Sequence, residues 1–504
     1  MVCGIPPIFY VGQRQGLNRW PDLGLGHGLR HWVRTSPLLA PFYFNSASNW
    51  SVIQYRFEPC YAVRSSSEFV IGVTRQLWST SYKGQSLQFK SILTFRFLDQ
   101  TSKALQEDIV LPVSMAKTVV ILGAGWAGLP LAHKLLKYTL PKANDGLKVF
   151  LVSPNSHFYW NLAAVRGVIP GAIPDQQLFL SIEPGFAQYA AENFEFVLGK
   201  AERLDPERNI IEVAGNDRTQ RSLSYDQLVI ATGSQIRSNL PFKSVGTHEE
   251  TLAALHSLQK QIDVAKSIVV AGAGPTGVET AGELAAAYGG EKDITLIIGG
   301  ERALQASHVL PSVSQAVERD LQKLGVKLVR NTQVKGVQAN AKGEEDAATQ
   351  TTLTLSNGST LVADLYLPLF GVQVNTSFVP ASLLDSAGNL VLDKTMCVVG
   401  TKNVWGIGDV GNLEVKQLTV TDAQIIHLSA ALDSVLTGES GQVKEYKPSR
   451  KTMIFITMGK KYATGQIGGW KLWGWMVSYV KGRMLFVDTA QGYVGGKQLR
   501  HASM

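Results

Sequence analysis

The chain has 504 residues, of which 45% are hydrophobic and 17% charged, with 48 glycines and 20 prolines. This globular composition excludes a disordered, collagen-like or coiled-coil protein, and the length suits about two to four domains. The formal net charge of +8 is mild for this length and by itself selects neither nucleic acid nor a membrane as partner.

The cysteine content and the lengths of the apolar runs indicate the cellular compartment in which the protein is expected. Three cysteines, Cys3, Cys60 and Cys397, are too few for a disulfide framework or a cysteine-rich metal site, so a reducing compartment is the default. No uncharged apolar run reaches the ~18 residues that a membrane-spanning helix needs, and the N-terminus lacks the pattern of a signal peptide. We therefore expect a cytoplasmic protein that is soluble or peripheral on a membrane.

Residues 1–114 differ from the rest of the chain. They carry eleven Lys or Arg against six Asp or Glu, and no stretch longer than about eight residues keeps a helical or strand period. At Met115 the sequence changes to a run typical of a buried parallel strand. We interpret residues 1–114 as a poorly organised extension preceding a natural start at Met115. The alternative is an organelle presequence, because the arginines of the first 34 residues are accompanied by only one acidic residue, Asp22.

A first glycine-rich motif follows that strand, with Gly123, Gly125 and Gly128 in GxGxxG spacing before a helix-like segment. The first glycine permits a tight turn, the second lets the backbone approach a pyrophosphate, and the third allows close helix–strand packing. The next strand ends in Ser153, where an acidic residue normally binds a ribose hydroxyl. Ser153 can offer only a weaker, neutral hydrogen bond at that position.

The pattern then repeats. A second apolar strand, residues 267–271, leads into Gly272, Gly274 and Gly277 and a second helix. A lone GxGxxG is weak evidence, but two complete strand–loop–helix units are the strongest functional signal in this sequence. The position that selects NADH or NADPH reads Ile298-Gly299-Gly300 with Glu301 and Arg302 beyond, which leaves that choice open.

Three further segments complete the pattern: a small-residue turn at Thr232-Gly233, a second crossover at residues 364–371, and Asp409 behind a glycine turn. This order resembles the two-dinucleotide-binding flavoprotein superfamily. The resemblance implies an α/β fold in which a Rossmann-like NAD(P) domain is inserted in a discontinuous Rossmann-like FAD domain. The implied boundaries are 115–240 and 364–445 for the FAD domain, 241–363 for the NAD(P)H domain, and 446–504 for a membrane or dimer interface region.

The resemblance also implies the cofactor contacts. Gly123, Gly125 and Gly128 would hold the FAD pyrophosphate, Thr232 and Gly233 would line the domain junction, and Asp409 would bind the ribityl chain. The second set of glycines would hold NAD(P)H.

Two segments, residues 156–167 and 455–487, resemble the ferroptosis suppressor protein family, an apoptosis-inducing-factor-like group related to type II NADH dehydrogenases. No cysteine lies between residues 61 and 396, which excludes the branch that uses a redox disulfide. The resemblance implies oxidation of NAD(P)H and two-electron reduction of a membrane quinone. It further implies the following site residues: Glu279 and Lys416 as catalytic groups at the flavin, Gln417 as a rival to Lys416, and Asn161 and Arg166 beside the cofactor.

Residues 470–481 combine Trp470, Trp473 and Trp475 with basic flanks. Indole rings favour the water–lipid interface, so we expect membrane docking, with a homodimer face or a core face as alternatives. The mitochondrial outer membrane and the lipid droplet are candidate surfaces. No metal site is expected, because the histidines lack partners at ligand spacing.

Two other functions remain alternatives to quinone reduction. One is a flavin oxidoreductase that acts on a dedicated quinone-like or polyketide-like intermediate in a biosynthetic pathway. The other is a non-catalytic, death-associated DNA-binding factor. The charge distribution disfavours nucleic acid as a partner, because eleven basic against six acidic residues in 1–114 account for five of the +8 charges.

Overall fold

A computed structural model describes residues 116–340, 350–438, 443–449 and 451–497, and the backbone of strands within the first 115 residues. The chain separates into two compact units, Met1–Met115 and Ala116–Met504. In the first unit five strands form an antiparallel sheet; they are Ser51–Phe57, Val63–Arg64, Val70–Tyr82, Gln85–Leu98 and Leu111–Pro112. Periodicity did not predict these strands, since their apolar residues do not alternate strictly. Met115 lies outside the described residues, and its interpretation as the natural start stays a prediction.

The second unit contains a seven-stranded sheet. Its spatial order is Gln220–Ser224, Ile210–Gly215, Phe194–Asp205, Leu147–Ser153, Lys117–Leu122, Gln227–Ile230 and Val404–Gly406. The last five strands of this order run parallel, and the first two pair antiparallel. The parallel strand before the first glycine motif is buried in its last four residues, as its continuous apolar run predicted.

A second parallel sheet follows in the chain before the first sheet is completed. Its order is Lys327–Val329, Asp293–Ile297, Ser267–Ala271 and Leu365–Pro368. Three antiparallel strands pack against it through a small apolar cluster; they are Val334–Ala339, Thr351–Leu355 and Thr360–Ala363. All seven strands lie in sequence between two neighbouring strands of the first sheet, Gln227–Ile230 and Val404–Gly406. The predicted fold, with one dinucleotide domain inserted in the other, is therefore confirmed.

The two chain crossings between the domains pair with each other, Ser234–Ile236 antiparallel to Val372–Val374. The α-helices are Gly128–Lys134, Ala164–Gly167, Asp175–Leu178, Glu183–Phe186, His248–Val264, Pro275–Tyr288, Pro311–Lys323, Leu418–Thr437, Gly474–Val477 and Ala490–Val494. Within the described part of the chain, none of the helices has both the length and the apolar character required to cross a bilayer.

The segment after residue 450 is the last part of the second unit in the chain. Its three antiparallel strands are Met453–Met458, Tyr462–Ile467 and Trp470–Leu472. The first of them packs against the helix Pro275–Tyr288 so closely that a Cβ on Gly282 would lie 2.5 Å from Met458 Cβ. This contact requires glycine at position 282 and places the C-terminal segment beside the second glycine loop.

Candidate functional site

The first glycine loop has the geometry of a phosphate cradle. Gly123 has a φ of 103°, and a Cβ there would lie 2.4 Å from the Ala231 carbonyl oxygen. A Cβ on Gly128 would lie 1.9 Å from the Gly123 oxygen, so the helix can approach the strand only without a side chain. A Cβ on Gly125 would meet nothing within 4 Å. The loop is therefore closed on its protein side and open over Gly125, where a pyrophosphate would lie.

The second glycine loop repeats this geometry. Gly272 has a φ of 108°, and its Cβ would lie 2.6 Å from the Leu369 carbonyl oxygen. A Cβ on Gly277 would lie 1.8 Å from the Gly272 oxygen, while Gly274 again faces open space. Both loops thus have a geometry that fits a dinucleotide, and the contact of each glycine with a cofactor stays a prediction.

Asp409 lies beside the first cradle. The preceding residue, Gly408, has a φ of 79°, and its Cβ would lie 3.4 Å from the Ala127 Cβ. Asp409 Oδ2 accepts hydrogen bonds from Ser234 Oγ at 2.6 Å and from Lys243 Nζ at 2.7 Å. Burial acts to raise the pKa of Asp409, but the charge and hydrogen bonds of these two neighbours hold it below its usual value.

The turn at Thr232 and Gly233 joins the two chain crossings through Asn375. Thr232 Oγ1 donates to the Asn375 carbonyl at 2.6 Å, and Asn375 Nδ2 donates to the Thr232 carbonyl at 2.9 Å. The Asn375 amide donates to the Gly233 carbonyl at 3.0 Å. The turn therefore lies where the two chain crossings meet, and its part in a cofactor site stays a prediction. Sequence analysis did not find Asn375, whose only signal is that it follows the second crossover.

Lys416 contacts the backbone of the Asp409 loop. Its Nζ donates to the Asp409 carbonyl at 2.5 Å and to Asn389 Oδ1 at 2.8 Å. Burial lowers the pKa of Lys416, with Asp409 and Asp385 opposing that effect. Its rival, Gln417, occupies the N-cap position of the helix Leu418–Thr437, where its carbonyl accepts from that helix. The catalytic role of Lys416 stays a prediction.

Ser153 and Asn161 lie close to the first loop. The Ser153 side chain is buried, and its Oγ accepts from the Asn155 amide at 3.1 Å. Within the described residues its hydroxyl hydrogen makes no hydrogen bond, and its contact with a ribose stays a prediction. Asn161 Oδ1 accepts from Trp126 Nε1 at 2.7 Å, and Trp126 belongs to the glycine loop itself. The structure therefore places Asn161 against the first cradle.

Glu279 takes part in a buried ion pair that sequence analysis did not find. Its Oε1 accepts from Lys481 Nζ at 2.7 Å and from the Thr457 amide and hydroxyl at 2.9 and 3.1 Å. The two charged side chains are only 7% and 10% exposed. Lys481 is the basic residue at the C-terminal flank of the tryptophan segment, and the expectation of a charge at the membrane is wrong for it, because its ammonium group lies inside the protein.

Arg166 makes a second buried pair one helical turn further along. Its Nε and Nη2 each donate to the Glu283 carboxylate at 2.8 Å. Its remaining bonds reach the carbonyls of Gly482 at 2.8 Å and Arg483 at 3.1 Å. Arg166 thus joins the FAD domain, the inserted domain and the C-terminal segment. Its predicted contact with a cofactor stays a prediction.

The tryptophan segment is exposed. Trp470, Trp473, Trp475 and Tyr479 are 81%, 71%, 70% and 67% exposed, and two of the indoles stack with centroids 6.2 Å apart. The core alternative was therefore wrong. We call these four residues the aromatic face. No group of three or more His, Cys, Asp or Glu side chains in the described ranges could hold a metal ion.

Comparison with known proteins gives concordant matches. The family model described as pyridine nucleotide-disulphide oxidoreductase matches residues 117–426. Oxidoreductase ptaL from Pestalotiopsis fici is 41% identical over 383 residues, covering 76% of this chain and 100% of that protein. Human ferroptosis suppressor protein 1 is 28% identical, covering 75% of this chain and 95% of its own. The structure of NDH2 from Plasmodium falciparum with NADH has a TM-score of 0.59 at 15% identity, covering 76% and 99% of the two chains.

Proposed function

Because this chain belongs to the pyridine nucleotide-disulphide oxidoreductase family, we propose that it transfers two electrons from NAD(P)H to a quinone-type acceptor at a membrane surface. Its cofactors are FAD and NAD(P)H, and FAD supplies the redox chemistry, taking up a hydride and giving up an electron pair. The overall reaction converts NAD(P)H, a quinone and one proton into NAD(P)⁺ and a quinol.

One observation supports direct electron transfer from the flavin to the acceptor: the described core holds two dinucleotide cradles and no reactive thiol near them. The described residues contain one cysteine, Cys397, which is buried. Burial raises the pKa of its thiol, so it remains protonated and unreactive at neutral pH. The acceptor must therefore bind where it can receive electrons from the flavin itself.

The residues around the second cradle have a positioning role. Gly274 faces open space, and the free backbone N–H groups in the first turn of the helix Pro275–Tyr288 would bind the dinucleotide phosphates, whereas the Gly272 N–H donates to the Ile297 carbonyl at 3.1 Å. Glu279 begins the next helical turn, and Lys481 with Thr457 fixes its carboxylate from the opposite side. These bonds hold a charged pair in a water-poor setting beside the expected nicotinamide position, where a fixed electrostatic field acts most strongly.

The aromatic face supports a membrane location for the acceptor. The residues that directly follow it in the chain are anchored in the core, since Lys481 binds Glu279 and the carbonyls of Gly482 and Arg483 bind Arg166. A lipid surface suits its composition, because indole and phenol rings have an apolar body and a polar tip. Docking there would bring a lipid-soluble quinone to the side of the protein on which these buried pairs lie.

Stopped-flow absorbance tests the reaction. The flavin of the full chain is reduced with NADH or with NADPH and then mixed with a short-chain ubiquinone without oxygen. Rapid bleaching followed by rapid quinone-dependent reoxidation is expected. Reoxidation by oxygen alone would contradict quinone reduction, and a protein without flavin would contradict the whole assignment.

Liposome co-sedimentation tests the location. We expect Trp473→Ala/Trp475→Ala to bind anionic vesicles at least about tenfold more weakly, because two interfacial indoles are removed. The matched control is Phe370→Ala, which removes another large apolar side chain that is 52% exposed. Equal sedimentation of the tryptophan variant and the wild type would contradict docking through this face.

A second candidate acceptor is a dedicated small molecule of quinone-like or polyketide-like structure. It is favoured by the 41% identity to oxidoreductase ptaL, which exceeds the 28% identity to ferroptosis suppressor protein 1. The same flavin chemistry serves both acceptors. Rapid reduction by NAD(P)H, slow reoxidation by ubiquinone and no vesicle binding would together favour this candidate.

A further inference from the structure

Lys243 lies on the first chain crossing into the inserted domain, between the strand Ser234–Ile236 and the helix His248–Val264. Its Nζ donates to Asp409 Oδ2 at 2.7 Å and to Ser234 Oγ at 2.9 Å. Ser234 Oγ donates to the same carboxylate oxygen at 2.6 Å. Two side chains of the first chain crossing, nine positions apart, thus meet one carboxylate oxygen of Asp409, which is at least 166 positions away in sequence.

This arrangement leaves the other carboxylate oxygen free. In the part of the chain that the structure describes, no hydrogen bond reaches Asp409 Oδ1. The Asp409 side chain is only 15% exposed, and that of Lys243 is 29% exposed. Because the Asp409 side chain is mostly shielded, Oδ1 has little water around it, and a hydroxyl donor from a ligand would stabilise it.

We propose that Lys243, together with Ser234, is a positioning residue for FAD that orients the Asp409 carboxylate so that Oδ1 accepts a hydroxyl of the ribityl chain. This inference rests on the flavin site of the proposed function. An ionised carboxylate accepts a hydroxyl hydrogen more strongly than a neutral group does. Fixing Oδ2 in advance also reduces the ordering cost when the ligand binds.

The charged groups around Asp409 support this role. Lys243 contacts the carboxylate itself, whereas Lys416 contacts the backbone carbonyl of Asp409 and Asn389 Oδ1 and faces Asp385. Burial by itself would raise the pKa of Asp409. The charge and hydrogen bond of Lys243 are the largest effects that oppose burial, and the pKa lies below its usual value. Removal of Lys243 should therefore favour protonation of the carboxylate as the pH falls, whereas wild-type Asp409 stays ionised.

Titration of FAD into deflavinated full-length protein, followed by flavin fluorescence at pH 7.5, 6.0 and 5.0, tests the proposal. Lys243→Met should weaken FAD binding by about tenfold at pH 7.5 and further at pH 5.0. The wild type should bind almost equally at all three values. Lys243→Arg should restore most of the affinity. Combined with Asp409→Asn, Lys243→Met should cause no further loss, because the lysine acts through that carboxylate.

The controls separate this effect from damage to the fold. Lys394→Met removes a lysine that pairs with Glu445 at the surface, and it should leave FAD affinity unchanged. Ser234→Ala, a smaller change at the same oxygen, should weaken binding in the same direction. Wild-type affinity and a flat pH profile for Lys243→Met, or additive losses in the double variant, would overturn the proposal. A wild type that binds no FAD would instead overturn the flavoprotein assignment.

Discussion

The two dinucleotide units of this protein share one loop geometry but differ in the helix that follows. The first glycines have φ values of 103° and 108°, and Cβ atoms on the third glycines would lie 1.9 and 1.8 Å from the first-glycine oxygens. The helix Gly128–Lys134 buries His133 and Lys134, and the hydrogen bonds of His133 within the described residues go to Tyr189 and Val494. The helix Pro275–Tyr288 buries two carboxylates, each paired with a cation from outside the inserted domain.

This difference separates two requirements. Phosphate binding is a property of the backbone, so both loops must meet the same steric conditions. The later turns of each helix are not under this steric condition, so their buried side chains depend on what packs against the helix. The first helix lies in the FAD domain and contacts the C-terminal segment through His133 and Val494, whereas the second lies where the inserted domain meets both the FAD domain and that segment.

Substitution of Gly128 and Gly277, one at a time, gives the largest expected effect. Gly128→Ala should eliminate nearly all bound FAD, because its Cβ would lie 1.9 Å from a backbone oxygen. Gly277→Ala should keep FAD but prevent reduction by NAD(P)H. Flavin content by absorbance and anaerobic bleaching by NAD(P)H measure the two effects. Gly125→Ala is the control: its Cβ has open space, so the apo-protein should melt normally while FAD binding weakens. Equal flavin loss in both third-glycine variants would contradict the assignment of one cofactor to each loop.

Breaking a buried pair of the second helix should give the next largest effect. Arg166→Met leaves Glu283 buried without its cation, and we expect a loss of about 3–5 kcal/mol in the free energy of unfolding. Chemical denaturation followed by far-UV circular dichroism measures it. Lys327→Met, which removes an exposed pair with Asp293, is the matched control and should change little. Equal stabilities of the two variants would show that the buried pair has no special role at the domain junction.

The smallest expected effect is on the pH dependence of stability, and it comes from His133 in the first helix. Its Nε2 contacts the Val494 carbonyl at 2.8 Å and its Nδ1 the Tyr189 hydroxyl at 3.0 Å, as a neutral ring would. Burial lowers the pKa of His133 from 6.5 to about 4. The unfolded chain therefore binds a proton first, and stability present above pH 6.5 is lost as the pH falls toward 4, by about 2 kcal/mol at pH 5.

Denaturation of the wild type and of His133→Gln between pH 7.5 and 4.5 measures this contribution. The variant lacks the titrating group, so its stability should fall less steeply below pH 6.5. Parallel curves for the two proteins would contradict a neutral, buried His133.

The fold was largely predictable because its signals are local. Each strand–glycine loop–helix unit occupies a short stretch of sequence, and the steric demand on each glycine follows from its position in the motif. The insertion of one domain in the other was implied by the resemblance to the flavoprotein superfamily, which rests on the order of the two units and the crossovers. The strands within residues 51–112 were missed because their apolar residues do not follow a strict period.

The ion pairs of the site could not be predicted because their members are far apart in sequence. Lys481 and Glu279 are separated by 202 positions, and Lys243 and Asp409 by 166. Composition indicated only that Lys481 flanked three tryptophans, for which a solvated lysine is the usual expectation. Burial of its ammonium group depends on the packing of the C-terminal strands against Gly282, which no local pattern records.

The long sequence separation of these pairs has a consequence for biogenesis. At about 5–20 residues per second, the ribosome adds Lys481 roughly 10–40 s after Glu279. When the inserted domain leaves the ribosome, its helix carries Glu279 and Glu283, and the partner of Glu279, Lys481, has not yet been synthesised. The helix Pro275–Tyr288 can be covered only after the C-terminal strands have been synthesised. Until then the nascent chain exposes a surface that is buried in the folded protein. Chaperones protect surfaces of this kind from aggregation.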